Sequence, residues 1–283
     1  VLILKPDQDI VLAQSADPVS YFAMLRGTSR INRAFCIRQD ILYIGHYGIM
    51  RGFHPWHASY NRVFMLNGLL DLGFTGWFLH LDADAWIHDV GFDLRGYLSG
   101  LSATSFVFAH GGTQQPWDVN DGIFLANCAH PDTLEVARAW QADVEAISPK
   151  RMRDAPEWSQ LPQDQQLLHS VLRRDGDRLT AHLHYERHSF INGLNASFIR
   201  QVLRSHQRDP EKRLDTIILK VEAAMVRQDL PAEDAVVTFC GLARALGLPI
   251  PTDESVVRAI MADPKSLAAY LRGVLGENQQ PGD

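Results

Sequence analysis

From Ile10 to Tyr185 the chain alternates short apolar runs with stretches of helical periodicity, and few architectures accept that pattern. Ile10-Val-Leu-Ala13, Ile41-Leu-Tyr-Ile-Gly45, Trp77-Phe-Leu-His-Leu81, Ser105-Phe-Val-Phe-Ala109 and Gly122-Ile-Phe-Leu-Ala126 are too short for core helices. They lack the polar alternation of a strand with one wet face. Strands of this kind are covered on both faces, as in a largely parallel sheet between layers of helices. Asp17-Pro18 suits the start of a helix running from Tyr21 towards Gln39, with Tyr21, Phe22, Met24 and Leu25 on its apolar face. Tyr60–Leu72 reads as a buried helix ended near Gly73. Ala137, Trp140, Val144 and Ile147 share one helical face, as do Leu167, Leu168, Val171 and Leu172. Val1–Leu4 and Leu179–Tyr185 are further expected strands, and Tyr47–His57, with Gly48, Gly52 and Pro55, is an expected loop.

After residue 205 the pattern turns helical. Leu214, Ile217, Ile218, Val221 and Met225 form one stripe, Val256–Leu275 predict more helix, and Gly276–Asp283 are expected to fray. The expectation is an α/β domain over residues 1–205 with a helical extension, 206–283, packed on it.

Composition removes several function classes. With 27 basic and 33 acidic side chains the net charge is -6, which speaks against broad attraction to nucleic acid. No apolar stretch reaches the length of a membrane span. Cys36, Cys128 and Cys240 form no C-x-x-C pair, so a disulfide framework or cysteine zinc site is not expected, and a reducing cytoplasm is the default. An anchor or signal upstream of Val1 stays open. G-x-G-x-x-G, G-K-[ST] and G-x-S-x-G are all missing from the sequence, which disfavours dinucleotide, P-loop and hydrolase-elbow chemistry.

In open α/β sheets ligands bind beyond the carboxyl ends of the strands. Phe78-Leu-His-Leu-Asp82-Ala-Asp84 places two carboxylates there. Residues two apart on an extended chain point the same way, and two carboxylates that close repel unless a cation or proton lies between them. Mn²⁺ or Mg²⁺, bridging to a diphosphate, suits such oxygen ligands. The plainer reading is a pair of solvated turn aspartates, with Asp84 capping a helix. Asn120-Asp121-Gly122 is either turn chemistry or the rim of a pocket. Asp164-Gln165 fits the first turn of a helix, where the dipole favours an acid. Asp17 fits an N-cap. Trp56, Trp86 and Trp117 suit either sugar stacking or core packing. His182, His184 and His188 fit a partly exposed strand.

Taken in order, these segments resemble nucleotide-sugar-dependent glycosyltransferases of the GT-A fold, closest to the α-galactosyl- and α-mannosyltransferase-like branches. The resemblance covers about residues 10–200. Thr28-Ser-Arg-Ile-Asn-Arg-Ala-Phe35 resembles the first helix, and His54-Pro-Trp56 with Tyr60–Leu66 the helix before the metal motif. Trp77–Trp86 resembles the strand and D-x-D core. Val119-Asn-Asp-Gly-Ile-Phe-Leu-Ala-Asn127 and Asp164-Gln165 match later motifs, and Tyr185-Glu-Arg-His-Ser-Phe-Ile-Asn-Gly193 a late segment.

The resemblance implies a Rossmann-like GT-A domain that moves a hexose from a nucleoside diphosphate sugar to a carbohydrate or other hydroxyl acceptor, retaining its anomeric configuration. It implies Asp82 and Asp84 as metal ligands, with His188 as the third. Ser15, Asp17 and Asn120 would join them in holding the donor, and Asp164, Gln165 and Asp121 would lie near the anomeric carbon. The lysine many relatives carry before D-x-D is absent; the nearby basic residues are Arg51 and Arg62. The competing readings are a haloacid-dehalogenase-like phosphohydrolase with Asp82 as nucleophile and a catalytically silent carbohydrate-binding relative.

Overall fold

The computed structural model describes residues 4–5, 7–228, 253–262 and 269. The chain forms β1 (Ile10–Ala16), α1 (Phe22–Gln39), β2 (Leu42–Tyr47), α2 (Asn61–Asp71), β3 (Trp77–Leu81), β4 (Ala85–Ile87), α3 (Leu94–Ser99), β5 (Phe106–His110) and β6 (Val119–Asn127). There follow α4 (Pro131–Glu145), α5 (Pro149–Arg153), α6 (Asp164–Leu172), β7 (Leu183–Glu186), β8 (Ile191–Gly193), β9 (Ile199–Gln201) and α7 (Pro210–Arg227). The contacts divide the chain into two compact units, Val1–Gln228 and Asp229–Asp283; a last helix, α8 (Glu254–Ala262), belongs to the second.

Six strands make the main sheet in the order β2-β1-β3-β6-β5-β7. All neighbours run parallel except at β6, which is antiparallel to both β3 and β5. Strand alternation sends Val11, Ala13 and Phe78 to one face, where they meet Tyr60, Val63 and Leu66 around α2 and Trp140 and Leu168 of α4 and α6. Helix α1 packs on β1, β2 and β4, with α7 against its outer side. This is the mixed, mostly parallel α/β architecture that the strand pattern predicts.

The ladder between β5 and β6 shifts register between Phe108 and Ala109: Phe108 faces Phe124 but Ala109 faces Asn120, so Asp121–Ile123 bulge out of the pairing. Bulges of this kind re-aim side chains beside functional sites. A second sheet, β4-β9-β8, is built from three-residue strands too short to carry a periodic signal.

Several expectations shift. Asp17 does not cap α1 directly; its carboxylate accepts from the N–H groups of Val19 (2.8 Å), Ser20 (2.5 Å) and Tyr21 (3.2 Å), closing a turn before the helix starts at Phe22. Asp84 is followed by a strand and caps no helix. Leu179 lies in a 3-10 turn, Arg174–Thr180, and strand β7 begins only at Leu183. The end of the expected loop Tyr47–His57 runs into a 3-10 turn, Pro55–Tyr60, and the helix expected from Tyr60 begins at Asn61.

The first unit ends at Gln228, beyond the expected boundary at residue 205. Helix α7 belongs to it because Ile217, Val221, Ala224 and Met225 bury against the unit and α7 packs on α1. The expected strand residues Val1–Ile3, the helix beyond Ala262 apart from residue 269, the tail Gly276–Asp283 and Cys240 lie outside the described residues. Cys36 and Cys128 are free and buried, and burial pushes the Cys128 thiol up to about 12, so neither is poised to react. Among the described residues, no helix is long and apolar enough to cross a membrane.

Candidate active site

A pocket of about 760 Å³ opens beyond the carboxyl ends of β1 and β3, where α/β sheets bind ligands. Ser15, Asp17, Asp82, Asp84, Asn120, Asp121, Asp164 and Gln165 all line it, although they are spread over 150 residues of sequence. His188 does not line it; it is exposed in the turn before β8. Of the three tryptophans singled out, Trp56 reaches the wall, Trp86 is fully buried core, and Trp117 lies outside, beneath the Arg173 guanidinium. Trp158, which sequence reasoning passed over, lines the pocket edge-on to Trp56, 5.8 Å between ring centres.

The turn after β3 is held from below by buried amides and a hydroxyl. Gln14 on β1 donates to the carbonyls of Asp82 (3.0 Å) and Ala85 (3.2 Å). On α1, Thr28 donates to Ala83 O (2.9 Å), and Asn32 donates to Ala85 O (3.2 Å) while accepting from the Ile87 N–H (2.7 Å). The Asp82 N–H donates to Gly122 O at 2.8 Å. With its carbonyls satisfied, the turn presents both carboxylates to the pocket in fixed positions. Gly122 leaves room for this: a Cβ there would lie 2.7 Å from Asp82 Oδ2 and 3.1 Å from Asn120 Oδ1.

Two residues that the sequence did not single out complete the floor. Gln201, at the end of β9, donates from one amide nitrogen to both Asp82 Oδ2 (3.1 Å) and Asp84 Oδ1 (2.8 Å). Its own Oε1 is buried without a partner. Arg213 of α7 stands 3.8 Å from Asp84 Oδ2. Arg62 is the hub on the other side. Its guanidinium reaches Asp82 Oδ1 (2.6 Å), Asp121 Oδ1 (3.1 Å) and Asp164 Oδ2 (3.2 Å), with a further bond to the Ser59 carbonyl. An arginine fork suits this job, since one planar cation can pair with several carboxylates.

The charges do not balance. Burial works against the Arg62 charge, but Asp121, Asp164 and Asp82 together more than hold it. Asp82 is held below the usual carboxylate range, because Arg62 overcomes the burial that would raise it. Burial, then the neighbouring Asp82 charge, pushes Asp84 up to about 6. Asp121 is driven well above the ordinary value by burial, against the pull of Arg62 and with Asp164 adding repulsion. Asp121 and Asp164 lie side by side, and a hydrogen bond between their carboxyls helps to keep a proton on Asp121. His80 beneath them is neutral, lowered to about 4 by burial and by Arg62, and lies between the rings of Phe78 and Phe124. Asp82, Asp84, Asp121 and Asp164 thus crowd around Arg62, with Arg213 behind Asp84, and the raised Asp84 and Asp121 values keep this cluster from carrying its full negative charge.

No known family profile matches the sequence, and no curated protein matches it. Solved structures do match in fold. A glycosyltransferase involved in the glycosylation of the major capsid of PBCV-1 aligns over 75% of this chain and 99% of its own, at 13% identity and a TM-score of 0.54. The glycosyltransferase GlyE of Streptococcus pneumoniae aligns over 78% of this chain and 63% of its own, at 11% identity and a TM-score of 0.43. Drosophila β1,4-galactosyltransferase 7, crystallised with manganese, UDP-Gal and xylobiose, aligns over 71% and 74%, at 14% identity and a TM-score of 0.40. The structural neighbours are glycosyltransferases, and the architecture of this chain is the GT-A-like α/β fold.

Proposed function

We propose that this chain transfers a hexosyl group from a nucleoside diphosphate sugar to a hydroxyl of a carbohydrate or glycoconjugate, with a divalent metal ion at Asp82 and Asp84. The glycosyltransferase fold supports the transferase class. The single observation that carries the rest is the convergence of Asp82 and Asp84 on one amide group at the floor of the pocket. Ser15 and Asp17, at the end of β1, would take the nucleoside; Asn120, Asp121, Asp164 and Gln165 would meet the sugar.

The donor set fits a hard divalent cation. Two fixed carboxylates lie beside Gln201, whose amide now donates to both while its oxygen has no partner. Turned end for end, the amide would direct that oxygen at an ion between the carboxylates. In this reading Gln201 takes the place expected of His188. When bound, the ion would offset the charge that grows on the departing diphosphate. The chain's own part is to hold the donor: Arg62 fixes Asp82, Asp121 and Asp164 with respect to one another, and burial keeps water from the sugar end. The phosphohydrolase reading loses support here, because Asp82 Oδ1 is tied to Arg62 at 2.6 Å and is poorly placed as a free nucleophile.

Two results would test the site. Nucleoside diphosphates should raise the thermal midpoint only when Mn²⁺ is present, and Asp84→Asn should abolish that response. The same variant should be more stable than wild type without metal at pH 7.5, by on the order of 1–3 kcal/mol. The sign follows from the raised pKa. The protonated carboxyl is accommodated below the unfolded value near 3.8, and stability is lost as pH climbs through about 6. At pH 4 the advantage of the variant should therefore vanish, and an apo variant no more stable than wild type at pH 7.5 would contradict the strained carboxylate.

Gln201→Leu, close in volume but without an oxygen, should weaken Mn²⁺ binding at least tenfold by calorimetry in the absence of nucleotide. Metal affinity of the wild type should also fall as pH drops through about 6, where Asp84 takes up a proton. Unchanged affinity in Gln201→Leu would remove Gln201 from the metal shell.

A further inference from the structure

At the opposite end of the sheet from the pocket, His130, Asp132 and His182 each offer one ligand atom, and these atoms all lie within 4.8 Å of one another. We propose that they form a second metal site, one that selects a first-row transition ion such as Zn²⁺. The position follows from the one antiparallel strand. Because β6 runs against its neighbours, its carboxyl end, Asn127, lies beside the amino ends of β3 and β5. The chain then turns through His130 into α4, while His182 immediately precedes β7, the edge strand beside β5.

One residue ties these segments together. Ser105 donates from its N–H (2.8 Å) and its hydroxyl (3.0 Å) to His182 O, and its own carbonyl accepts from Thr133 Oγ1 at 3.0 Å. The ligands thus sit on segments already fixed to the sheet, so little order remains to be imposed on binding. The side chains are in register as well. His182 Nδ1 lies 2.8 Å from Asp132 Oδ2, and the two imidazole rings are 4.9 Å apart. Asp132 turns its other oxygen, Oδ1, towards Arg178 at 3.8 Å, which leaves Oδ2 for an ion.

Two imidazoles and one carboxylate are the ligand types of zinc sites that keep a fourth position for water. Magnesium and calcium prefer all-oxygen shells, so this site and the carboxylate pocket should sort different ions. Coordination through His182 Nδ1 would require the tautomer with its proton on Nε2. His130 Nδ1 now accepts the Asp132 N–H at 3.1 Å, and coordination through that atom gives up this helix-cap bond. Arg178 remains paired with Glu135 and is not displaced. An ion held here would staple the start of β7 to the start of α4, the edge of the sheet to its neighbouring layer.

The test uses the whole chain and Co²⁺ as a spectroscopic substitute for Zn²⁺. Wild type should take up one Co²⁺ with visible bands of a four-coordinate, nitrogen-containing shell, and Zn²⁺ should bleach them and raise the thermal midpoint. His182→Ala, at a half-exposed position that tolerates truncation, should weaken Zn²⁺ binding at least tenfold, with the Mn²⁺-dependent nucleotide response unchanged. Asp132→Asn should do the same. Wild type without a Co²⁺ signal, or both variants with undiminished affinity, would overturn the proposal. Because the pocket is read separately through Mn²⁺ and nucleotide, failure here leaves the catalytic reading standing, and the reverse also holds.

Discussion

Replacing Arg62 by methionine is expected to lower stability by about 3–5 kcal/mol, the usual result of stripping the partner from a buried ion pair. The side chain is 8% exposed and pairs with three carboxylates that are themselves largely out of water. Methionine fills much of the volume, so the loss is electrostatic and not a cavity. The deficit should narrow in acid. Wild type loses the Asp82–Arg62 contribution as pH falls through the depressed Asp82 value, whereas the variant is relieved as its orphaned acids take up protons. Denaturant unfolding at pH 7.5 and pH 5 measures the relief of the variant, and a third measurement below pH 3.8 reads the loss of the Asp82 contribution in wild type. Arg62→Lys should fall between the two proteins, because an ammonium supplies the charge but not the fork. A methionine variant within 1 kcal/mol of wild type would show that the carboxylates are already neutral without Arg62, and the hub would lose its meaning.

Asp164→Asn should cost on the order of 10²-fold or more in turnover while leaving nucleotide affinity almost intact. Asparagine keeps the shape and can still accept from Arg62 Nε, so only the charge is removed. One Asp164 oxygen faces Arg62, and the carboxylate lies against Asp121 in the pocket wall, where a substrate can reach it. We hypothesise retention, with Asp164 placing the donor sugar or stabilising positive charge at its anomeric carbon. In a front-face reaction the acceptor proton passes to the leaving diphosphate, and in a double displacement a carboxylate attacks first. Proton NMR of the product linkage decides the stereochemistry, and an inverted product overturns retention. Near-normal turnover in the variant would transfer the role to Asp121.

What could be read from the sequence follows from where the signal is local. Trp77–Leu81 and Gly122–Ala126 announce themselves because a strand covered on both faces must be almost entirely apolar, and Asp82 and Asp84 stand out as charges at the end of one. Arg62 was visible only as one of two basic residues near the expected helix. Its surroundings, Val63 to Leu66, read as core, and nothing nearby predicts that it meets Asp121 and Asp164. Gln201 and Arg213 gave no signal at all. Gln201 ends a three-residue strand, too short for periodicity, and its role exists only because β9 pairs with β4 directly after the carboxylates. His188 enters as a third ligand only through the resemblance of Tyr185–Gly193 to a late family segment, and the turn before β8 carries it to the surface. A ligand type is written in the sequence; its direction is set by pairings distant in the chain.

The insertion of β6 between β3 and β5 also bears on how the protein is born. As the chain leaves the ribosome, β2, β1 and β3 can zip in parallel, but β3, apolar apart from His80, then ends the sheet with an open edge. That edge is a hazard for association with other chains until residues 119–127 arrive and close it. The same late strand delivers Asn120 and Asp121, and still later segments add Asp164 and Gln201. No nascent fragment that stops short of β9 can hold the complete pocket, because its walls come from one end of the first unit to the other, and such non-local closure is slow. Ligand binding here is therefore an all-or-none reporter of a finished first unit, and a saturating ligand would rescue slow folders only after their last strand is in place.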